Sequence, residues 1–240
     1  MHERNCFITL TYDPRKEPEG GSVRVKDFQM FMKRMRKDLE DGKTEEDRRV
    51  RYFHCGEYGE KSSRPHYHAL LFGVDFSLDG VPIKRERGHT LFKSGSLDRL
   101  WGLGHASVGS LTMESAAYVA RYVMKKDTAE TGRYGRIDHN GDLFFVRPEY
   151  VTMSRRPGIG SKWFEQFASE VYPSDEVVHE GKRYRPPRFY DSKLAADVLL
   201  DLKGKRRQRV STRGQDLTED RLRVREVVAA ARLSGLHRSL

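Results

Sequence analysis

The sequence predicts an α+β fold, an antiparallel sheet backed by helices. Three observations carry that expectation. Short β-branched and aromatic runs stop at turn residues, and segments between them repeat apolar residues at helical spacing. Their order is strand, helix, strand, strand, helix, strand, helix, with a hairpin-like loop between the second and third strands.

Residues 6–12 (CFITLTY) form the first strand, which Asp13-Pro14 stops. A polar, Gly-rich connector leads to a helix over 26–40, where Phe28, Phe31, Met32, Met35 and Leu39 recur at helical spacing. Residues 51–57 and 66–73 read as the next two strands. Residues 74–93 have turn residues and no period, and read as a long surface loop. A short helix over 97–101 and a strand over 105–111 follow. Thr112 is the expected N-cap of a helix that runs to about Lys126, with Glu114 in its first turn. After a Gly-rich loop over 127–142 come a weak strand at 149–153, a basic turn (SRRPGIG) and a helix over 161–171.

Beyond Tyr172 the character changes. Pro173, Pro186 and Pro187 interrupt structure, and residues 203–240 hold eleven Lys or Arg against four Asp or Glu. Most of the formal net charge of +10 therefore lies there, with a basic helix expected over 217–233. The expected division is a domain over 1–172 and a basic, partly helical extension over 173–240. A length of 240 residues suits one core of ~150 residues with an appended segment.

The charge balance and a pI near 9.6 favour polyanionic partners. Cys6 and Cys55 are far apart and form no CxxC pattern, which argues against a disulfide framework or zinc ribbon and for two reduced core residues. The N-terminus has no signal-peptide pattern and no apolar run reaches ~18 residues, so neither secretion nor a membrane span is expected.

Two patterns point to chemistry. In His66-Tyr67-His68, alternation along a strand puts both imidazoles on one face, as a pair of metal ligands. A hairpin would bring Glu57 beside them, and two imidazoles with one carboxylate leave positions open on a divalent ion. His54 is the rival third ligand. It lies on the opposite face of its strand from Glu57, so one of the two faces the pair. The second pattern is Tyr118 and Tyr122, spaced i and i+4 on one helix face, with Lys125 and Lys126 one turn on. A neighbouring ammonium favours the phenolate of a hydroxyl whose ordinary pKa is about 10, and attack on a phosphodiester would leave a phosphotyrosine. Basic residues interleaved with aromatics, as in Arg183-Tyr184-Arg185, suit phosphates and unpaired bases. Two alternatives stay open: a non-catalytic nucleic-acid-binding protein, and a metal-dependent nuclease that uses water.

Read in order, FITLTYDP at 7–14, CGEYGEKSSRPHYHALLFG at 55–73 and ESAAYVARYVMKK at 114–126 resemble the motifs of the HUH endonuclease superfamily. The likeness is to rolling-circle replication initiators, above all the gokushovirus type of Microviridae phages, and it covers nearly the whole chain. It implies an HUH endonuclease fold of ferredoxin-like or RRM-like kind with a basic C-terminal extension. By the resemblance, the metal ligands are His66, His68 and Glu57, and the catalytic residues are Tyr118, Tyr122 and Lys125. The implied metal is Mg or Mn. The implied activity is nicking and strand transfer on single-stranded DNA at a replication origin. Host DNA polymerase and helicase are the implied partners, since no P-loop pattern is present, and the cytoplasm of the bacterial host is the implied location.

Overall fold

The N-terminal run of Cys, Phe, Ile and Leu becomes β1 (Asn5–Thr11), and it lies inside the sheet with a strand on either side. The computed structural model describes residues 2–40, 50–59, 62–86, 89–124, 134–137, 140–212 and 217–235, with the side chains of residues 40, 86, 121–124, 233 and 234 outside that description. After β1 come α1 (Val25–Glu40), β2 (Arg51–Tyr58), β3 (Pro65–Phe72), β4 (Gly80–Glu86), β5 (His89–Ser94), α2 (Gly95–Trp101), β6 (Ala106–Ser110) and α3 (Met113–Met124). Then follow β7 (Gly135–Ile137), β8 (Leu143–Phe145), β9 (Tyr150–Met153), α4 (Ser161–Val171), β10 (Val177–His179), β11 (Lys182–Tyr184), α5 (Arg188–Asp191), α6 (Ala196–Ser211) and α7 (Glu219–Ser234). The main sheet has seven antiparallel strands in the order β4-β5-β6-β1-β3-β2-β9. The expected α+β class, an antiparallel sheet with helices, is therefore what the chain adopts.

Alternation along the strands divides the sheet into two faces. Cys6, Ile8 and Leu10 of β1 and Tyr67, Ala69 and Leu71 of β3 bury against Phe28, Phe31, Met32 and Met35 of α1 and against Leu97, Leu100 and Trp101 of α2. Each such side chain contributes roughly 1.5–3 kcal/mol on burial. Polar groups fix the helices on this face. The Tyr12 hydroxyl donates to Asp27 Oδ2 at 2.6 Å and lies 2.6 Å from the Tyr67 hydroxyl, which accepts from the Arg24 N–H at the start of α1. Arg34 donates to the carbonyls of Leu100 and Trp101, the unpaired acceptors at the C-terminal end of α2.

The other face carries Phe7, Cys55 and Leu70, which pack with Tyr118 and Val119 of α3. Thr112 caps α3 as the sequence predicts. Its hydroxyl accepts from the Ser115 N–H at 3.2 Å while Ser115 Oγ accepts from the Thr112 N–H at 2.8 Å. This reciprocal cap sets where the helix starts and therefore which residue, Tyr118, turns down onto β2 and β3.

The stretch over 74–93 is not a loop. It holds a 3-10 turn (Phe76–Asp79), β4 and most of β5. β4 is an edge strand with Pro82 in it and with Val81 and Ile83 facing solvent, so no buried face imposes an alternating pattern. The short pairs β7–β8 and β10–β11 and the helix α6 were not expected from sequence either.

By internal contacts the chain forms two units, Met1–Ile159 and Gly160–Leu240. The sequence reading counts residues 161–171 with the first domain, whereas α4 groups with the second unit. There Trp163 stacks on Tyr190 at 5.6 Å and Phe164 packs against the same ring at 5.2 Å. The second unit is also held by a charge cluster. Arg206 of α6 donates to both oxygens of Asp175 and of Asp191, and Asp191 also accepts from the Tyr172 hydroxyl. The expected basic helix is α7, with its described side chains exposed.

Candidate active site

The hairpin of β2 and β3 sets Glu57 directly opposite His66 and Cys55 directly opposite His68. Strand alternation then turns Glu57, His66 and His68 toward the face that α3 covers. His66 Nε2 is 2.7 Å and His68 Nε2 3.0 Å from the same carboxylate oxygen, Glu57 Oε1. The ligand atoms of these three residues all lie within 4.8 Å of one another. Two imidazole nitrogens and a carboxylate oxygen converging from a rigid hairpin are a donor set that suits a divalent cation.

His54 is settled by the same geometry. It lies on the α1 side of β2, fully buried, stacked on Phe28 at 3.5 Å and bonded to Thr152 Oγ1 at 2.8 Å. Burial holds its pKa well below the ordinary histidine value. His54 is thus a neutral core residue and not a ligand candidate.

The site is nearly dry. Glu57 is 3% exposed, His68 6% and Tyr118 7%. Burial by itself would raise the Glu57 pKa, but hydrogen bonds from His66 and His68 overcome it and hold the carboxyl at about 2. His66 moves the other way. Burial opposes its charged form, yet the bond to Glu57 leaves its pKa above the ordinary value. His68 is more enclosed, and burial keeps its pKa below that value.

Each ring is oriented from behind. His68 Nδ1 is 2.9 Å from Thr9 Oγ1, and the ring stacks on Phe7 at 5.4 Å. His66 Nδ1 is 3.2 Å from the carbonyl of Arg64. Sequence reasoning gave Thr9 and Phe7 no role. The signal is the β1–β3 register, which pairs Thr9 with His68 and cannot be read along one strand alone.

Tyr118 reaches the same cluster from α3. Its hydroxyl is 3.4 Å from Glu57 Oε1 and 3.5 Å from His68 Nε2, and its ring meets His68 edge-on at 5.1 Å. The expectation of a gap between imidazoles and phenols is corrected here. Tyr118 packs edge-on against Phe7 as well, and this brings its hydroxyl into contact with the ligand atoms. Tyr122 follows four residues later in α3, with its side chain outside the described residues. Lys125 and Lys126, and residues 127–133 of the expected loop, lie outside the described residues altogether.

Cys6 and Cys55 are free and buried, as expected, and burial raises the Cys6 thiol to about 12. Among the described residues no helix is long and apolar enough to cross a membrane.

Comparison with known proteins gives this geometry a context. A family model described as replication-associated protein of the ORF2 type matches residues 5–127, a span that includes Glu57, His66, His68 and both tyrosines. The chain is 32% identical over 192 residues to replication-associated protein VP4 of Bdellovibrio phage phiMH2K, covering 79% of this chain and 58% of that protein. It is 30% identical over 227 residues to replication-associated protein ORF2 of Spiroplasma virus 4, covering 88% and 65%. It is 28% identical over 207 residues to replication-associated protein ORF4 of Chlamydia phage 1, covering 83% and 48%. The matched region thus spans about half to two thirds of the length of these relatives. No solved structure matches. With the α+β sheet, the His/His/Glu cluster and the tyrosine helix all inside or built upon the matched span, the chain belongs to this family of replication-associated proteins, the rolling-circle replication initiators that its motifs resemble.

Proposed function

We propose that the protein nicks single-stranded DNA at a phage replication origin by transesterification, with Tyr118 as the first nucleophile. One observation carries the reading: the Tyr118 hydroxyl lies 3.4 Å from Glu57 Oε1 and 3.5 Å from His68 Nε2, inside the only group of metal-ligating side chains found among the described residues.

A tyrosine hydroxyl with an ordinary pKa near 10 is a weak nucleophile at neutral pH. Glu57, His66 and His68 would hold a divalent ion, Mg or Mn. When bound, such an ion polarises a phosphate oxygen and offsets the negative charge that develops during attack. The protein's own groups do the rest. Glu57 stays ionised, so it is a ligand and a hydrogen-bond acceptor for Tyr118 rather than a proton store. Phe7 and His68 hold the phenol ring edge-on, limiting its rotamers before DNA arrives.

The phenol oxygen attacks phosphorus and loses its proton to solvent. The P–O3′ bond breaks, O3′ takes up a proton, and the 5′ end remains as a phosphotyrosine. The bond energy is kept in that linkage, so the ends can be rejoined without a nucleotide cofactor. The free 3′-OH primes a host polymerase, and a host helicase separates the strands in the cytoplasm of the bacterial host. Tyr122, one helical turn further on, acts as the second nucleophile that cuts the regenerated origin. Lys125 favours the phenolate and attracts phosphate. We assign the endonuclease to the domain expected over 1–172 and DNA holding to the extension over 173–240.

The test uses origin-containing, labelled single-stranded oligonucleotides with Mg or Mn. A labelled band at protein mass should appear on a denaturing gel and vanish with chelator. Tyr118→Phe and Tyr122→Phe together should abolish it and leave DNA binding largely intact. Cleavage without an adduct would mean that water is the nucleophile. Chelator-insensitive binding with no covalent product would mean a non-catalytic binding protein.

A further inference from the structure

The second unit contains a built recess that the proposed nicking chemistry does not use. The β10–β11 hairpin lies along one side of it and α6 along the other. Two adjoining depressions, about 260 Å³ and about 440 Å³, share Arg185, Arg206 and Val210, and so form one continuous trough.

Its charges fall into two classes. Arg206 is tied down, with both carboxylates of Asp175 and Asp191 around it at 2.6–3.0 Å. Asp175 is 7% exposed, so this cluster fixes α6 to the turn before the hairpin and is not free to bind. Arg209 leans on the same Asp175 at 3.5 Å, and Arg183 pairs with Glu176 at 3.2 Å. Arg185, Lys203 and Arg207 form the other class. All three line the trough, are exposed, and carry no ion pair among the described residues. Their charge is held above a neutralised floor, spaced along a groove, and available. Tyr184 joins them on the rim, 43% exposed between Arg183 and Arg185.

We propose that this trough binds the backbone of single-stranded DNA flanking the cleavage site, with Arg185, Lys203 and Arg207 on phosphates and Tyr184 stacked on an unpaired base. The inference rests on the reading of the protein as an origin nickase and names a second place where it grips the strand. Cations along a recess with an aromatic platform are the general solution for strand binding without sequence preference. A depression of this size takes a strand and not the width of a double helix. A lipid surface is flat and would meet a convex basic face, whereas here the cations border a recess with carboxylates in its floor.

The test replaces Arg185, Lys203 and Arg207 together by Gln in the full chain. Gln keeps side-chain length and helix propensity. Binding of oligothymidylate is measured across a salt series. Each lost phosphate contact on a single strand removes about 0.7 from the slope of log K against log salt, so the slope should become shallower by about 2. An unchanged slope overturns the proposal. So does loss of binding to phosphatidylserine vesicles with DNA binding intact. Should the triple variant fail to fold, wild-type protein photocrosslinked to an iodouracil-substituted strand decides. Crosslinks at Tyr184 support the trough, and their absence there sinks it. Adduct formation on a short origin oligonucleotide is scored in parallel. Wild-type protein that forms no adduct, yet shows the slope change, refutes the nickase reading and leaves the trough standing. An adduct with an unchanged slope refutes the trough alone.

Discussion

Thr9 Oγ1, 2.9 Å behind His68 Nδ1, decides which face of that imidazole meets the cluster. Groups placed behind metal-binding histidines fix the ring's tautomer and orientation, and losing one typically costs 10–100-fold in metal affinity. Thr9→Val keeps the shape and removes the hydroxyl, so Mn affinity by calorimetry should fall by roughly that factor, while Thr9→Ser should restore most of it. An unchanged affinity in the Val variant would reduce Thr9 to packing. His66 gives a second residue-scale prediction. A metal ligand must be neutral, and the bond to Glu57 raises the His66 pKa, so protons compete with the metal from a higher pH than for a free histidine. Between pH 8 and 6 the metal dissociation constant should therefore rise on acidification, approaching about tenfold per pH unit once His66 is protonated. A flat profile over that range would contradict the assignment of His66 as a ligand. The His66/His68 pair was legible in sequence because a strand's period of two is a local property. Thr9 was not, because its partner is chosen by the β1–β3 register across 59 residues.

At the scale of elements, the hairpin β2–β3 and the helix α3 make the site, and both were legible from alternation and from Thr112 as a cap. Residues 80–94 were misread because the edge strand β4 buries neither face and contains Pro82. The hairpin β10–β11 and the helix α6 were missed for a related reason. Their described residues are almost all exposed, so burial imposes no periodic pattern on them. A tight approach at the end of β1 also escapes a local reading. The Thr11 N–H donates to the His105 carbonyl at 2.8 Å and the Asp13 N–H to the Leu103 carbonyl at 2.9 Å, clamping the residues around Gly104 against β1. A Cβ on Gly104 would collide with the backbone of Thr11, Tyr12 and Asp13. Gly104→Ala should therefore destabilise the first unit by about 1–3 kcal/mol in urea unfolding. Stability within ~0.5 kcal/mol of wild type would show that the clamp opens easily.

At the scale of the molecule, one sheet separates two kinds of work. The face under α1 and α2 is apolar core, closed by a buried Tyr12–Tyr67–Asp27 set. The face under α3 is a small core interrupted by a carboxylate, two imidazoles and a phenol. Buried ionisable groups on an otherwise packed surface lower stability, and a site is where a fold bears that cost. The excess of basic charge beyond residue 203 was plain in sequence. That Arg206 is structural while Arg185, Lys203 and Arg207 line an open trough was not, because ion pairing depends on which carboxylates the fold brings near. The central claim is that the Tyr118 phenol, set against Glu57 and His68, is the group that takes the DNA. The direct measurement is mass spectrometry of the covalent adduct from a single turnover, after nuclease and protease digestion. The account predicts a nucleotide 5′-phosphate on the α3 peptide at Tyr118, and Tyr118→Phe should remove it. A nucleotide found on a residue outside α3, or undiminished first-round adduct in Tyr118→Phe, would contradict it.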